Sequence, residues 1–119
     1  MESILTSIKK LLGIAEDYNH FDADIIIHIN SVFMILNQLG VGPSNVFSIA
    51  NDESTWNDFL PDNTNLEAIK TYMYLKVKLI FDPPTSGIVT ESMNKLISEY
   101  ECRLNIAVES SPLNNGEEN

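Results

Sequence analysis

Apolar positions recur at helical spacing over four stretches of the chain. Ile4, Leu5, Ile8, Leu11 and Leu12 make the first, with Lys9 and Lys10 turned outward and Gly13 placed to end the helix. After the polar stretch Glu16 to His20, Asp22 is suited to cap a second helix through the free amides of its first turn. Phe21 just outside that helix and Ile26 inside it have the spacing of a hydrophobic staple. The helix is predicted to reach about Leu39, because Gly40, Gly42 and Pro43 follow directly. Thr64 and Glu67 stand at capping-box spacing and open a third helix that continues to Phe81, where Asp82-Pro83-Pro84 stops it. A fourth begins near Ser86 to Ile88 and carries Val89, Met93, Leu96, Ile97, Tyr100, Leu104 and Ala107 along one face.

Residues Val41 to Pro61 mix turn formers with the apolar anchors Val46, Phe47, Ile49, Trp56, Phe59 and Leu60. Large aromatic groups bury much apolar area, so this connection is expected to be pinned onto the helices, with one helical turn at Trp56 to Leu60. The fold class expected is mainly α: a small bundle of about four helices with an ordered, aromatic-rich loop between the second and third long elements. Residues 1–108 form one helical domain in this reading, and the polar, acidic residues 109–119 a flexible tail.

At about 100° per residue, two of the helices carry more apolar surface than one stripe requires. The second has a main face of Ile25, Ile29, Val32, Phe33, Leu36 and Leu39, yet Ile27 and Met34 lie one heptad apart on roughly the opposite side. In the third, Leu66, Ile69, Met73, Val77 and Ile80 make one face, which Ala68, Tyr72, Leu75 and Leu79 broaden on its flank. Either the long loop and first helix cover the excess within one chain, or a neighbouring copy does. The second account makes Ile27, Met34, Tyr72, Leu75 and Leu79 the candidate subunit interface.

Composition narrows the function classes. A chain of 119 residues is long enough for one helical core and too short for two. Its net charge of −10 repels a phosphate backbone, and neither half hides a basic module: 8 acids and 2 bases up to Leu60, 9 and 5 after it. No apolar run approaches the length of a bilayer span, and the opening residues lack the basic lead and cleavage site of a secretory signal, so the chain is expected in the cytosol when made, with no membrane partner. The single cysteine, Cys102, closes no internal disulfide and builds no tetrahedral metal site alone.

Candidate chemistry is sparse. His20, Asp22, Asp24 and His28 invite a metal reading, but they form no His-Glu-x-x-His array, and Asp22 is better used at the helix start. Gly40-Val41-Gly42 lacks the later residues of a dinucleotide or phosphate-binding loop and is explained by helix termination. Cys102 has no histidine to activate it, and Glu99 and Glu101 read as a solvated helix face rather than an acid–base pair. Tyr72 and Tyr74 beside Lys70, Lys76 and Lys78 lack the positive groove that single-strand binding needs. No enzyme activity, cofactor or metal is expected.

The set Ile8-Lys9-Lys10-Leu11-Leu12-Gly13-Ile14, the acidic lead into Asp24 to Gly40, Trp56-Asn57-Asp58-Phe59-Leu60, the helix Ala68 to Phe81 and the break Asp82-Pro83-Pro84 resembles the bacteriophage head-tail connector, or DNA-packaging adaptor, family over about residues 1–108. Order and spacing of the whole set carry the resemblance, since no one motif in it is specific. It implies a helical protein of the virion neck, assembled in the host cytoplasm. Such a protein forms a ring with copies of itself beneath the portal protein, a dodecamer being one size open to it. The ring extends the DNA channel without sequence-specific binding and docks a stopper or tail-completion protein. Glu109 and Leu113 in the tail are candidates for portal docking. A rival reading from another class is a small acidic regulatory or inhibitory protein that captures a basic partner, for which the excess of acids is the only signal.

Overall fold

Helix α1 (Ile4–Leu12) starts where the Ser3 hydroxyl accepts the Thr6 amide at 3.2 Å, and it ends in a left-handed Gly13 at φ +81°. There the Gly13 and Ile14 amides close back onto the carbonyls of Lys10 and Lys9, satisfying the last turn. A computed structural model describes residues 2–62 and 65–109 of the chain. It contains four further helices: α2 (Asp22–Gln38), α3 (Trp56–Phe59), α4 (Leu66–Phe81) and α5 (Gly87–Glu109). Among the described residues there is no strand, only an isolated antiparallel bridge between Ser3 and Thr55. The expected mainly α bundle is therefore the fold, with the anticipated helical turn at Trp56 standing as a short helix of its own.

α4 is the centre: it packs against α1, α2 and α5, and α1 also rests on α2. Ile4, Ile8, Ile25, Ile29, Leu36, Ile69, Met73 and Val77 are fully or almost fully removed from solvent. Phe81 at the end of α4 packs edge-on to Phe21 just before α2, with ring centroids 5.3 Å apart, so these two helices run antiparallel. The Tyr72 hydroxyl donates to the Glu101 carboxylate at 2.7 Å, and the connection from Asp82 to Ser86 is short, so α4 and α5 are antiparallel too. Consequently α2 and α5 point the same way from two different flanks of α4.

The long loop is stitched down as its aromatic content predicts. Trp56 is buried and its indole N–H donates to Ser7 at 2.7 Å, while Phe33, Phe47 and Phe59 form a three-ring cluster with centroids 4.7 to 5.4 Å apart. The side-chain amide of Asn30 donates to the Ile49 carbonyl at 3.0 Å and accepts the Ile49 amide at 2.8 Å; that of Asn37 donates to the carbonyls of Pro43 and Ser44. The segment from Gly42 to Asn51 thus runs back along α2.

Four local expectations are corrected. Lys9 does not face outward. It is 2% exposed, and its ammonium donates to the carbonyls of Glu16 and Tyr18 and pairs with Asp22 at 2.9 Å, because the linker after α1 folds over that helix end. Asp22 is accordingly the first residue of α2 rather than its cap; Phe21 holds the cap position and makes no side-chain cap bond. Asn65, in a left-handed conformation at φ 60°, occupies the cap position of α4, which removes Glu67 from capping-box register; Thr64 lies outside the described residues. Of the expected α5 face, Met93, Ile97, Tyr100 and Leu104 are covered but Val89 and Leu96 are exposed, since α5 has one substantial neighbour. Of the expected flexible tail at residues 109–119, Glu109 is the last residue of α5, and the rest lies outside the described residues.

Candidate interaction surface

α2 presents an outward row. Ile27 is 61% exposed and Met34 54%, one heptad apart, with the small, exposed Ser31 between them. From Ile25 to Asn51 the chain has no Asp, Glu, Lys or Arg, and His28 is its only ionisable side chain. An exposed helix face normally carries charge, so an uncharged one has little hydration to lose on being covered. The returning loop continues this surface alongside α2, and Val46 on it is also exposed. At the amino-terminal end of α2 the surface dips into an open groove of about 580 Å³. Leu5, Ala23, Ile26 and Ile27 supply its apolar part, and Asn19, Asp22 and the Ala50 to Asp52 segment its rim.

The five residues expected at a subunit interface separate into two groups. Ile27 and Met34 are on the surface, as required of a contact with another molecule. Tyr72 and Leu75 are buried and Leu79 is half-buried against the core. This is a correction for Tyr72 and Leu75: α5 of the same chain packs on that flank of α4, where Tyr72 donates to Glu101, while Leu79 is only partly covered. Burial first, and then the Glu101 bond, push the Tyr72 phenol well above its ordinary pKa, so it remains a donor. Glu101, read as solvated, is half-buried in that contact. Glu109 is the last residue of α5, and Leu113 lies outside the described residues.

α5 supplies apolar surface that sequence reasoning missed. Ile88 is 78% exposed, Val89 46%, Leu96 44% and Ile106 55%. Val89 and Leu96 were expected on the covered face. Val89, however, lies in the first turn of α5, beside the connection that follows the end of α4. Leu96 sits about 60° around the helix from Met93, at the edge of a seam only one helix wide.

The remaining candidate groups are held in structural contacts. His20 packs against Phe21 and Tyr18, and His28 lies beside Phe81. Asp22 is engaged by Lys9, and among the described residues no group of three or more His, Cys, Asp or Glu side chains could hold a metal. Cys102 is an exposed free thiol. No described helix is long and apolar enough to cross a membrane.

In a comparison with known families, residues 4–111 fit the family described as phage connector protein. Searches among curated proteins and among solved structures give no match. The matched span takes in all five helices and the loop stitched along α2, and on that basis the chain belongs to the phage connector protein family.

Proposed function

We propose that the chain is a subunit of a ring in the virion neck, seated below the portal protein, extending the DNA channel and docking a stopper or tail-completion protein on its far side. The observation that carries this is the uncharged, solvent-facing row of Ile27 and Met34 beside the groove. Packing within one chain leaves it uncovered, and the chain belongs to a family of connectors. Contiguous exposed apolar surface favours association, and a contact repeated around a closed ring covers such a row on every copy.

The net charge of −10 suits a channel through which DNA moves, since acidic walls repel phosphates instead of holding them. The account needs no covalent chemistry, cofactor or metal. Glu109 and Leu113 are proposed for portal docking on their place at and beyond the end of α5. The rival reading as a captor of basic proteins has only the net charge behind it.

Mixing the purified chain with portal protein from the same phage and imaging by negative stain tests the proposal. The expected result is a ring stacked coaxially on the portal. A chain that stays single at high concentration with portal present contradicts it.

A further inference from the structure

The groove at the amino-terminal end of α2 combines three properties that one kind of occupant satisfies together. We propose that it holds a basic segment with an apolar anchor, carried by the protein that docks on the far side of the ring. The identity of that partner rests on the ring reading above, whereas the chemistry of the segment rests on the groove itself.

First, the floor is apolar. Leu5, Ala23, Ile26 and Ile27 supply it in an opening of about 580 Å³, within the range of roughly 300 to 1,000 Å³ typical of sites that enclose small groups. Second, the charge is of one sign. Asp22 and Asp52 stand in the lining, and no Lys or Arg is among the described residues there. From Leu11 to Ile69, a stretch that includes every lining residue but Leu5, the chain has nine acids and no Lys or Arg. α1 supplies Leu5 and has two cations, both engaged: Lys9 with two carbonyls and Asp22, Lys10 with Glu2. Asp52 and its neighbour Glu53 are exposed and make no ion pair among the described residues. Third, Tyr18 and Phe21, on either side of the lining residue Asn19, are exposed aromatic rings with centroids 5.8 Å apart. Aromatic faces near carboxylates favour a guanidinium or ammonium group.

Other occupants fit less well. Nucleic acid and anionic lipid meet repulsion from Asp52 and Glu53. A second copy brings no net positive surface, because Lys95 and Arg103 on α5 stand among the exposed Glu91 and Glu99, and each copy carries a charge of −10. Ile27 is where the groove adjoins the α2 row, so the two contacts are neighbours. The position also suits a partner on the far side. Phe81 packs on Phe21, so the groove opens where α2 begins and α4 finishes. α5 starts from that end and runs 23 residues to Glu109, roughly 30 Å away at about 1.5 Å per residue. The groove and the segment proposed for portal docking therefore lie at opposite ends of the subunit.

A short fluorescent peptide alternating arginine with leucine is the probe, titrated onto the whole chain and followed by anisotropy. Binding is expected, and it should fall when serine replaces leucine in the peptide or glutamate replaces arginine. Ala23→Arg, which fills the groove with the chain's own cation, should weaken binding at least about tenfold, and Asp52→Asn about fivefold. Ser98→Arg on α5 makes the same change in net charge as Ala23→Arg and should leave binding within about twofold of the unmodified chain's. Ala23, Asp52 and Ser98 are all exposed, so the fold is expected to tolerate the changes, which melting temperatures check. An equal loss from Ser98→Arg, or full binding of the serine peptide, reduces the effect to net charge and overturns the groove. Absence of binding to the unmodified chain overturns it as well. Negative-stain images of each chain on portal separate this inference from the ring reading. Rings retained by Ala23→Arg while peptide binding is lost support the groove as a docking site on the ring. An unmodified chain that binds the peptide yet forms no ring on portal overturns the ring reading, and with it the far-side partner, while the groove's preference for a basic segment stands.

Discussion

Lys9 illustrates how one side chain holds a connection in place. Its ammonium is enclosed with two carbonyls and the Asp22 carboxylate as acceptors, so it fastens the linker after α1 to the start of α2. Removing it leaves those acceptors short of a donor in a largely dry site. Lys9→Ala is therefore expected to lower stability by about 3 kcal/mol, measured by urea unfolding, and a loss below about 0.5 kcal/mol contradicts this role. Helical spacing alone put Lys9 on the outside, because the pattern cannot show a linker folding back over its own helix. Gly42 works in the opposite sense: at φ +92°, a Cβ there would stand 2.5 Å from the Phe59 ring, so close approach of the loop to the aromatic cluster requires glycine. The sequence marked this glycine as a helix breaker, and only the structure shows what it approaches. By contrast, the cap of α3 was legible and overlooked. Thr55 and Asp58 stand at capping-box spacing, and both of their reciprocal bonds are made.

Among the elements, α1, α2 and α4 were readable from periodicity because each has a strong stop signal: Gly13, Gly40 and Asp82-Pro83-Pro84 all lie where these helices end. What periodicity could not give was which neighbour covers which face. The broad apolar flank of α4 was open to either α5 or a sister copy, and the Tyr72 to Glu101 bond assigns it to α5. The same logic splits the apolar residues of α5 itself. Leu104 is 3% exposed and Leu96 44%, although both lie on the face predicted from sequence. Leu104→Ala is expected to cost about 2 to 5 kcal/mol through lost transfer energy and a cavity, whereas Leu96→Ala should cost under about 1 kcal/mol in the isolated chain. Thermal melts of the two variants check the contrast, and equal shifts in midpoint would mean that α5 packs differently. Of the candidate interface, Ile27 and Met34 were legible because they lie opposite the main face of α2. The exposed part of α5 was not, since it depends on where α4 ends.

For the whole molecule, sequence order and spacing carried the family resemblance, and the family match over residues 4–111 supports it. The acidity, which repels a phosphate backbone, is compatible with a passage that DNA must cross without adhering. The central claim is that the solvent-facing row of α2 is reserved for another copy. The most direct test compares the mass of the portal-bound assembly, by light scattering, for the unmodified chain and for Met34→Asp, with equal melting temperatures required of the two. The account predicts a multimer on portal for the unmodified chain and its loss for Met34→Asp. An unchanged assembly mass for Met34→Asp would contradict it.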